Sequence, residues 1–479
     1  MKILLINPPY TNFEGMKESG GHMMSLGLAY LASYLRKNTN CQISILDTEV
    51  RGLNYQEIKQ EIKKGDADII GITCLTPVMP HVFKIAKIIK EEINPKSVIV
   101  AGGIHPTALP EETIKNPFID FVVVGEGEIT LYELVKAIEE KECNFKKING
   151  LYFKQNNKII STPPRELISD IDEIPFPARD LFDLDLYYNA PTKKVSSEPA
   201  GPILTSRGCA FNCIHCISRK IWKRTPRFRS IPNIMKELEE CVYKFGIKEI
   251  NIYDDTFTLN QDRAMKICDE IIKRKLDIFW VSFSRVNTIS EKLAKKMYEA
   301  GCRKISFGLE SGSQKILDLM RKQATIEMGK KAVKTITKQG ILAHASFMFG
   351  NLGETEKTIK ETIKFAKSLP LDNATFFITS PVPGTDLYEI AKKEGFINEN
   401  TKWEEFAPLT NTPPILVQRN ISKERLVYWQ KKAFREFYLR PKYFFHKIKQ
   451  LNSLDAFKTI LEGLRVFYRI LVKKNNTRL

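Results

Sequence analysis

The chain has 479 residues, of which 43% are hydrophobic and 27% charged, and its formal net charge is +18. This length exceeds that of one ordinary domain, so we expect two or three. No run of 18 apolar residues occurs, which excludes a membrane-spanning helix, and nine cysteines without a secretory signal predict a cytoplasmic protein.

Residues 1–145 alternate strand-like and helix-like segments. The predicted strands are 2–6, 42–46, 68–74, 97–101 and 121–124, and the predicted helices are 24–36, 55–64, 80–93 and 129–140. This order predicts an α/β fold with a doubly wound, Rossmann-like parallel sheet of about five strands. Ligands bind beyond the carboxyl ends of the strands in such sheets, so the loops that follow the strands are the candidate ligand site.

The loops after these strands carry small and polar residues. The candidate ligand-binding residues are Asn7, Pro8, Thr73, Gly102, Gly103, His105, Gly125 and Glu126. A nicotinamide-dinucleotide site is not predicted, because Gly125-Glu126-Gly127 lacks the third glycine of G-x-G-x-x-G and follows the last strand, not the first. Glycines in these loops allow backbone to approach a flat, bulky ligand closely.

Residues 146–198 are predicted to be a connector. The segment 151–160 has Asn156-Asn157 between apolar runs, which predicts a β-hairpin. Prolines 163, 164, 175 and 177 then interrupt regular structure, as expected of a bridge between domains.

Residues 199–400 return to strand and helix alternation. Strands are predicted at 202–206, 249–253, 278–283, 304–308, 342–349 and 374–379, each followed by a helical pattern. Six such units predict a partial (βα)6 barrel of the TIM type. Catalytic groups of these barrels lie at the carboxyl ends of the strands.

Three cysteines with the spacing C-x3-C-x2-C follow the first of these strands: Cys209, Cys213 and Cys216. Three thiolates from one loop can bind three irons of a [4Fe–4S] cube and leave the fourth iron open for chemistry. A Cys3His zinc site with His215 is the alternative, although such sites usually draw on two separated ligand pairs. Unrelated structural thiols are the third possibility.

Acidic residues follow several barrel strands. Asp254 and Asp255 end the second strand, Glu310-Ser311 end the fourth, and Gly350 begins the loop after the fifth. Carboxylates at these places could accept hydrogen bonds from an ammonium group or from ribose hydroxyls. Acidic residues after strands also cap helices, so each fragment alone is a weak signal.

Residues 401–479 are predicted to be a basic, aromatic, helical C-terminal region. From Asn420 onward, 15 Lys and Arg residues accompany 4 Asp and Glu residues, which places +11 of the +18 net charge there. The interleaved aromatic residues are Tyr428, Trp429, Phe434, Phe437, Tyr438, Tyr443, Phe444, Phe445, Phe457, Phe467 and Tyr468. They either pack on the barrel or form an amphipathic surface for an anionic membrane or a lipid-like substrate.

Read together, these motifs resemble the radical S-adenosylmethionine (SAM) superfamily, and within it the class that has an N-terminal cobalamin-binding domain. The segments that carry the resemblance are NPP, GGIHPT, VVGEGE, IDEIPFPARDLFD, CAFNCIHC, DDTFT, GLESGSQ, FGNLGET and SPVPGTDLY, over about residues 1–400. The class includes the anaerobic magnesium-protoporphyrin monomethyl ester cyclase and class B radical methyltransferases. Asn351-Leu352 replaces the more common Leu/Phe-Pro of the fifth-strand loop.

The resemblance implies three cofactors: a [4Fe–4S] cluster on the three cysteines, SAM and cobalamin. It assigns SAM binding to Phe211, Asp254, Asp255, Glu310, Ser311 and Gly350, and cobalamin binding to the candidate loops of residues 1–145. The motif D-x-H-x-x-G is absent, so the resemblance implies cobalamin without a histidine ligand on its lower face. Isolated histidines such as His81 and His344 are expected to be structural.

Methylation of an unactivated carbon of a small-molecule or lipid-like substrate is the leading hypothesis for function. A radical SAM oxidoreductase or cyclase of the same class is the alternative. An RNA methylthiotransferase would need three more cysteines in the N-terminal domain and a C-terminal RNA module, and a non-enzymatic metal-binding protein would not need acidic strand ends. The expected partners are the substrate, a low-potential electron donor of flavodoxin or ferredoxin type, and a peripheral membrane surface for the tail, but not nucleic acid.

Overall fold

The computed structural model describes residues 1–10, 21–142, 144–190, 193–196, 199–407, 414–441 and 443. The described strands are β1 (Lys2–Asn7), β2 (Gly21–His22), β3 (Gln42–Asp47), β4 (Ile69–Thr73), β5 (Val98–Gly102), β6 (Phe121–Val123), β7 (Leu151–Gln155), β8 (Lys158–Ser161), β9 (Tyr188–Asn189), β10 (Ala200–Ile203), β11 (Ser206–Arg207), β12 (Arg227–Phe228), β13 (Glu249–Ile252), β14 (Phe279–Ser284), β15 (Cys302–Glu310), β16 (Leu342–Phe349) and β17 (Asn373–Ile378).

The described α-helices are α1 (Leu26–Asn38), α2 (Tyr55–Gly65), α3 (Met79–Ile88), α4 (Ile104–Ala108), α5 (Pro110–Lys115), α6 (Gly127–Glu139), α7 (Ser218–Trp222), α8 (Ile231–Glu239), α9 (Gln261–Lys273), α10 (Glu291–Glu299), α11 (Gln314–Leu319), α12 (Ile326–Lys338), α13 (Glu356–Ser368), α14 (Asp386–Lys393) and α15 (Lys423–Tyr438). None of the described helices is both long and apolar enough to cross a bilayer.

The first sheet has seven strands in the order β3-β1-β4-β5-β6-β7-β8. Its first five strands are parallel and are covered by helices on both faces, which is why they read as continuous apolar runs. The predicted doubly wound sheet is therefore confirmed. The predicted hairpin also forms, but its strand β7 pairs antiparallel with β6 and so extends this sheet beyond the predicted limit of residue 145. Pairing with the hairpin covers the edge that β6 would otherwise expose.

The second sheet has six parallel strands in the order β10-β13-β14-β15-β16-β17, and this confirms the predicted partial barrel. One predicted strand was too long. The segment 202–206 divides into β10, which ends at Ile203, and β11, which forms an antiparallel ribbon with β12. The ribbon leads directly into the cysteine loop.

Helix α15 packs on the last strand of the barrel. The side chains of Trp429, Phe434 and Phe437 are buried, and the Phe434 ring meets the Phe376 ring of β17 at 5.3 Å. Tyr438 donates its hydroxyl to the Ala374 carbonyl (2.8 Å). For this helix the packing interpretation is confirmed by the burial of Trp429, Phe434 and Phe437, whereas Tyr428 is 47% exposed. Phe444, Phe445, Phe457, Phe467 and Tyr468 lie outside the described residues.

Candidate cluster and cofactor site

The three predicted cluster ligands lie in one loop after β11. Cys213 is buried, Cys209 and Cys216 are partly exposed, and all three are free thiols. Burial raises the pKa of Cys216 to about 11, and the nearby Asp255, Cys213 and Cys209 act in the same direction. The three thiols therefore lie near one another, and a metal cluster that binds them as thiolates would offset the cost of their charge.

Backbone hydrogen bonds fix this loop against the barrel. Ile214 N donates to the Met320 carbonyl (3.2 Å), and Leu387 N donates to the Ile214 carbonyl (3.1 Å). The Arg219 guanidinium donates to Asn212 Oδ1 at 2.8 Å. The loop is thus held from both sides before any ligand binds.

The zinc alternative receives no support from the side-chain geometry. Within the described ranges, no three His, Cys, Asp or Glu side chains converge closely enough to hold a single metal ion. A cubic cluster instead takes one thiolate at each of three irons, and the donor set of this loop fits it.

Arg285 is a buried arginine beside the cysteine loop, directly after β14. Its guanidinium donates to Cys213 Sγ at 3.3 Å and lies over the Phe211 ring, with 3.6 Å from Cζ to the ring centroid. A second amino group donates to the Lys322 carbonyl. Phe211 therefore lies within the predicted site, where its ring contacts the arginine that bonds to a cluster ligand.

Glu310 lies at the end of β15 and forms a buried pair with Lys322, with 2.7 Å between Oε1 and Nζ. Burial alone would raise the pKa of Glu310, but Lys322, His215 and Arg285 lower it below its usual value, so the carboxylate is charged. A side chain at Gly308 would place its Cβ 2.2 Å from Glu310 Oε1, so any other residue there would force this pair to shift. The pair offers one carboxylate and one ammonium group to a zwitterionic ligand.

The two aspartates after β13 have different surroundings. Asp254 is buried and accepts four hydrogen bonds from the backbone and hydroxyl groups of Thr205 and Ser206, at 2.5–3.1 Å. These bonds hold the chain between β10 and β11, and a SAM-binding role for Asp254 remains a prediction. Asp255 accepts from Ser218 Oγ (2.9 Å), and burial raises its pKa. Asp255 is the member of the pair that adjoins the cysteine loop.

Ser311 and Gly350 contribute to packing around the site. Ser311 is buried, and its hydroxyl lies 3.2 Å from Thr362 Oγ1 and accepts from Ser313 N (3.1 Å). Gly350 has φ +86°, and a Cβ there would lie 2.9 Å from Leu426 Cδ1 of α15. Both contacts are to the chain itself, and a direct contact with SAM remains a prediction.

The predicted cobalamin-binding residues meet at the carboxyl ends of the strands of the first sheet. Asn7 ends β1 and donates to Asp47 Oδ1 (3.0 Å), with Pro8 buried beside it. Thr73 and Gly102 are register partners at the carboxyl ends of β4 and β5. The structure therefore brings together the loops that the sequence proposed as a ligand site.

Glycines and a histidine shape this end of the first sheet. Gly103 has φ +111°, and a Cβ there would lie 3.1 Å from the Cys74 backbone, whereas a Cβ at Gly125 (φ +81°) would meet no atom within 4 Å. His105 is buried, and its Nδ1 lies 3.2 Å from Thr76 Oγ1. Its Nε2 has no partner among the described residues, and burial lowers its pKa to about 4. Open space beside a glycine and an unsatisfied imidazole nitrogen fit a bulky polar ligand.

Glu126, the last of the predicted cobalamin-binding residues, bonds to two arginines. It accepts hydrogen bonds from Arg207 and Arg227 of the β11–β12 ribbon, at 2.7 Å each, and from Ile168 N (2.9 Å). Arg207 also pairs with Glu128 at 2.6 Å. The two arginines therefore occupy both carboxylate oxygens of Glu126, and cobalamin binding by this residue remains a prediction. We call these four side chains, Glu126, Glu128, Arg207 and Arg227, the inter-domain brace, because they join the first sheet to the ribbon that leads into the cysteine loop.

Two family models match the chain. The model described as "Radical SAM superfamily" matches residues 203–366, and the model described as "B12 binding domain" matches residues 15–135. The chain is 41% identical to an uncharacterized methyltransferase of Pyrococcus horikoshii, over 98% of this chain and 99% of that protein. The chain belongs to the cobalamin-binding class of the radical SAM superfamily.

Other members of this class resemble the chain in sequence or fold. The anaerobic magnesium-protoporphyrin IX monomethyl ester cyclase of Rubrivivax gelatinosus is 31% identical, over 81% of this chain and 70% of the cyclase. The solved structure of the cobalamin-dependent SAM radical enzyme OxsB superposes with a TM-score of 0.72 at 19% identity, over 97% of this chain and 72% of OxsB. The methyltransferase TsrM of Kitasatospora setae gives 0.68 at 19% identity, over 89% of this chain and 80% of TsrM.

As a cobalamin-binding radical SAM enzyme, the protein takes a [4Fe–4S] cluster, SAM and cobalamin as cofactors. Four residues of the site escaped the sequence analysis: Arg207, Arg227, Arg285 and Lys322. Two of them had a local signal: Arg285 directly follows a predicted strand at the end where barrel sites lie, and Arg207 lies two residues before Cys209. Arg227 and Lys322 are recognisable only through their tertiary partners.

Proposed function

We propose that the protein methylates an unactivated carbon of a small molecule. The single observation that carries this proposal is the inter-domain brace. Arg207 precedes the first cluster cysteine by two residues, and it bonds to the loop of the first sheet that begins at Gly125. Two cofactor sites held against each other suit a reaction that uses both cofactors on one substrate carbon.

The chain's own residues have separable tasks in this proposal. Cys209, Cys213 and Cys216 would hold the cluster, and the Glu310–Lys322 pair would bind the amino and carboxylate groups of SAM through charge-assisted hydrogen bonds. The glycine-lined end of the first sheet at Gly103 and Gly125 would seat the corrin. When bound, the cluster supplies the electron that cleaves SAM, and cobalamin supplies a cobalt that carries the methyl group.

The relatives support methylation and keep a second candidate in view. A methyltransferase is the relative at 41% identity, and a cyclase follows at 31%. The second candidate is therefore a radical SAM oxidoreductase or cyclase. It would share the cluster and SAM site but transfer no methyl group.

Product analysis separates the two candidates. Anaerobically reconstituted protein, supplied with SAM carrying a CD3 group and a small-molecule extract of its host, should form S-adenosylhomocysteine and 5′-deoxyadenosine together. It should also transfer the label to an extract compound that gains one methyl group. Cys213→Ala protein is the control. Deoxyadenosine without labelled product would overturn the methyltransferase proposal and favour the oxidoreductase.

The partners follow from the same chemistry. A low-potential electron donor of flavodoxin or ferredoxin type would reduce the cluster, and we propose the cytoplasm as the compartment, because free thiols and an exposed iron persist in reducing surroundings. Membrane contact is not proposed, since Trp429, Phe434 and Phe437 of α15 are buried in the barrel core.

A further inference from the structure

The inward face of the barrel strand β16 is only partly covered by the described residues. Along β16, Ala343, Ala345 and Phe347 point outward to the helices and are fully buried. The alternating residues His344, Ser346 and Met348 point inward and are only partly buried. Since helices cover the outer face, this contrast marks a lumen that admits solvent or a ligand.

The segment 193–196 crosses this lumen from β13 to β15. Val195 N and Ser196 N donate to the Glu249 carboxylate at 3.2 and 2.8 Å, at the first residue of β13. The Lys194 carbonyl accepts from Lys304 Nζ of β15 (3.4 Å). The segment therefore lies toward the amino ends of the strands, away from the cysteine loop.

Lys193 extends from this segment over two aromatic rings of the lumen. Its Nζ lies 3.4 Å from Tyr253 Oη, 5.2 Å from the Tyr253 ring centroid and 5.4 Å from the Phe283 ring centroid. No carboxylate of the described residues lies within 4 Å of it, whereas Lys304 is paired with Asp372 (3.3 Å). Lys193 is thus a cation in the lumen whose charge no described carboxylate neutralises.

His344 lies on the same inward face and does not compete for an anion. Its Nδ1 lies 3.2 Å from Ser306 Oγ and its Nε2 lies 3.0 Å from Thr375 Oγ1, so both ring nitrogens are engaged, as expected for a structural histidine. Burial lowers its pKa to about 3, and the charges of Lys304 and Lys193 act in the same direction. Lys193 and His344 therefore lie close enough in the lumen for the charge of Lys193 to affect the His344 ring.

We propose that the lumen binds an anionic group of the substrate, a phosphate or a carboxylate, through Lys193, with Tyr253 and Phe283 against the adjoining apolar part. This inference rests on the proposed function, for which it names the substrate class. Phe283 lies on the inward face of β14, and Arg285, which directly follows this strand, lies on the same face. The two residues are two positions apart, so their Cα atoms are roughly 7 Å apart. An anion at Lys193 would direct the rest of a small substrate toward Cys213, which Arg285 contacts.

Binding of matched aromatic probes tests this site without turnover. Phenyl phosphate, benzoate and neutral benzyl alcohol are titrated into full-length, cluster-reconstituted protein by calorimetry and by ligand-observed NMR. We expect at least one anion to bind tenfold or more tightly than benzyl alcohol, and the stronger of the two identifies phosphate or carboxylate. Lys193→Met should abolish this preference and leave benzyl alcohol binding unchanged.

Lys194→Met is the matched control, because only the backbone carbonyl of Lys194 contacts Lys304. It should change anion binding by less than twofold. Equal binding of anions and benzyl alcohol by the wild type, or an unchanged anion preference in Lys193→Met, would overturn the proposal. Iron content and the thermal unfolding midpoint of both variants verify that they fold. Because no methyl transfer is measured, a failed methylation assay and a failed binding assay remain distinct results.

Discussion

The two sides of the cysteine loop use buried arginines in different ways. On the side of the first sheet, Arg207 and Arg227 contact Glu126 at 2.7 Å each, so their charges are neutralised. On the barrel side, Arg285 has no carboxylate within 4 Å among the described residues and bonds instead to the Cys213 sulfur and a carbonyl. A buried charge is costly unless it is paired. Glu310 partly offsets the charge of Arg285 from a longer distance, and the thiolates of a bound cluster would place negative charge in direct contact with it.

The bonding partner of each arginine therefore indicates its role. Arg207 and Arg227 bond to carboxylates and hold the structure together, whereas Arg285 bonds to a sulfur that is predicted to bind the cluster. The inter-domain brace is complete without any ligand and fixes the position of the loop. Arg285 gains a charged partner in direct contact only when the Cys213 sulfur is a thiolate. Substitutions in the inter-domain brace should therefore lower the stability of the fold. Substitutions of Arg285 should instead change the reduction potential of the cluster.

The largest expected effect comes from the sulfur that Arg285 contacts. Reconstituted wild-type protein should bind about four irons per chain, and Cys213→Ala should bind almost none, because one of three ligands is lost. Iron analysis and visible absorption measure this. Cys268→Ala is the control, since Cys268 is also buried but lies in α9 within the barrel core. Full iron content in Cys213→Ala would contradict the assigned ligand set.

Glu126→Gln should break the inter-domain brace. Removing this charge from a buried network leaves Arg227 without its carboxylate partner and Arg207 with Glu128 alone, at a cost of about 3–5 kcal/mol in the free energy of unfolding. Urea unfolding of the apoprotein measures this. Glu166→Gln is the surface control, because Glu166 is 90% exposed and lies 3.5 Å from Lys223. It should cost less than about 0.5 kcal/mol. Equal costs at the two positions would contradict the bracing role.

Arg285→Gln should shift the cluster potential with a smaller effect on stability. A cation that donates a hydrogen bond to a ligand sulfur stabilises the reduced, more negative cluster, so its loss should make the potential more negative. We expect at least a tenfold change in the reduction equilibrium, which is about 59 mV for one electron. A redox titration followed by electron paramagnetic resonance measures it.

Arg224→Gln is the matched control for that shift. Arg224 is exposed and donates to the Ala210 carbonyl of the same loop (3.2 Å), so it removes one charge near the cluster without touching a sulfur. A shift of the same size in both variants would assign the effect to overall charge instead of the sulfur contact.

The sequence predicted the two sheets because parallel strands buried on both faces leave continuous apolar runs, such as Ile3–Ile6. It predicted the cysteine loop because all three ligands lie within eight residues and their spacing is local information. The aromatic residues of α15 could not be assigned, because burial against β17 and burial in a membrane need the same apolar face.

The ion pairs and hydrogen bonds within the site could not be predicted from the sequence, for a different reason. Glu126 and Arg227 are separated by 101 residues, and the chain has 74 Lys and Arg residues from which a partner could come. Asp254 and Asp255 are adjacent and chemically alike, yet one is saturated by Thr205 and Ser206 while the other faces the cysteine loop. Only the tertiary structure distinguishes them.

Glu354 offers the last and smallest test, because it is a buried carboxylate that forms no ion pair with any described Lys or Arg. It is fully buried, and its Oε2 has no partner among the described residues. Burial raises the pKa of Glu354 to about 7, although hydrogen bonds from Thr358 and Asn351 oppose this. A raised carboxyl pKa means that the folded state holds a proton the unfolded state releases. The associated stability is fully present below the unfolded pKa, which is about 4.3, and is lost as the pH rises through about 7.

Glu354→Gln removes that titration, since the amide is neutral at every pH. Relative to the wild type, the variant should gain up to about 3 kcal/mol of unfolding free energy between pH 5 and pH 8. Glu327→Gln, on the exposed start of α12 with a side chain that is 78% exposed, should show no such gain. Urea unfolding at both pH values measures the difference. A gain that is the same at pH 5 and pH 8 would indicate a packing effect, and the contrast between neutralised and unneutralised buried charges would then not extend to this carboxylate.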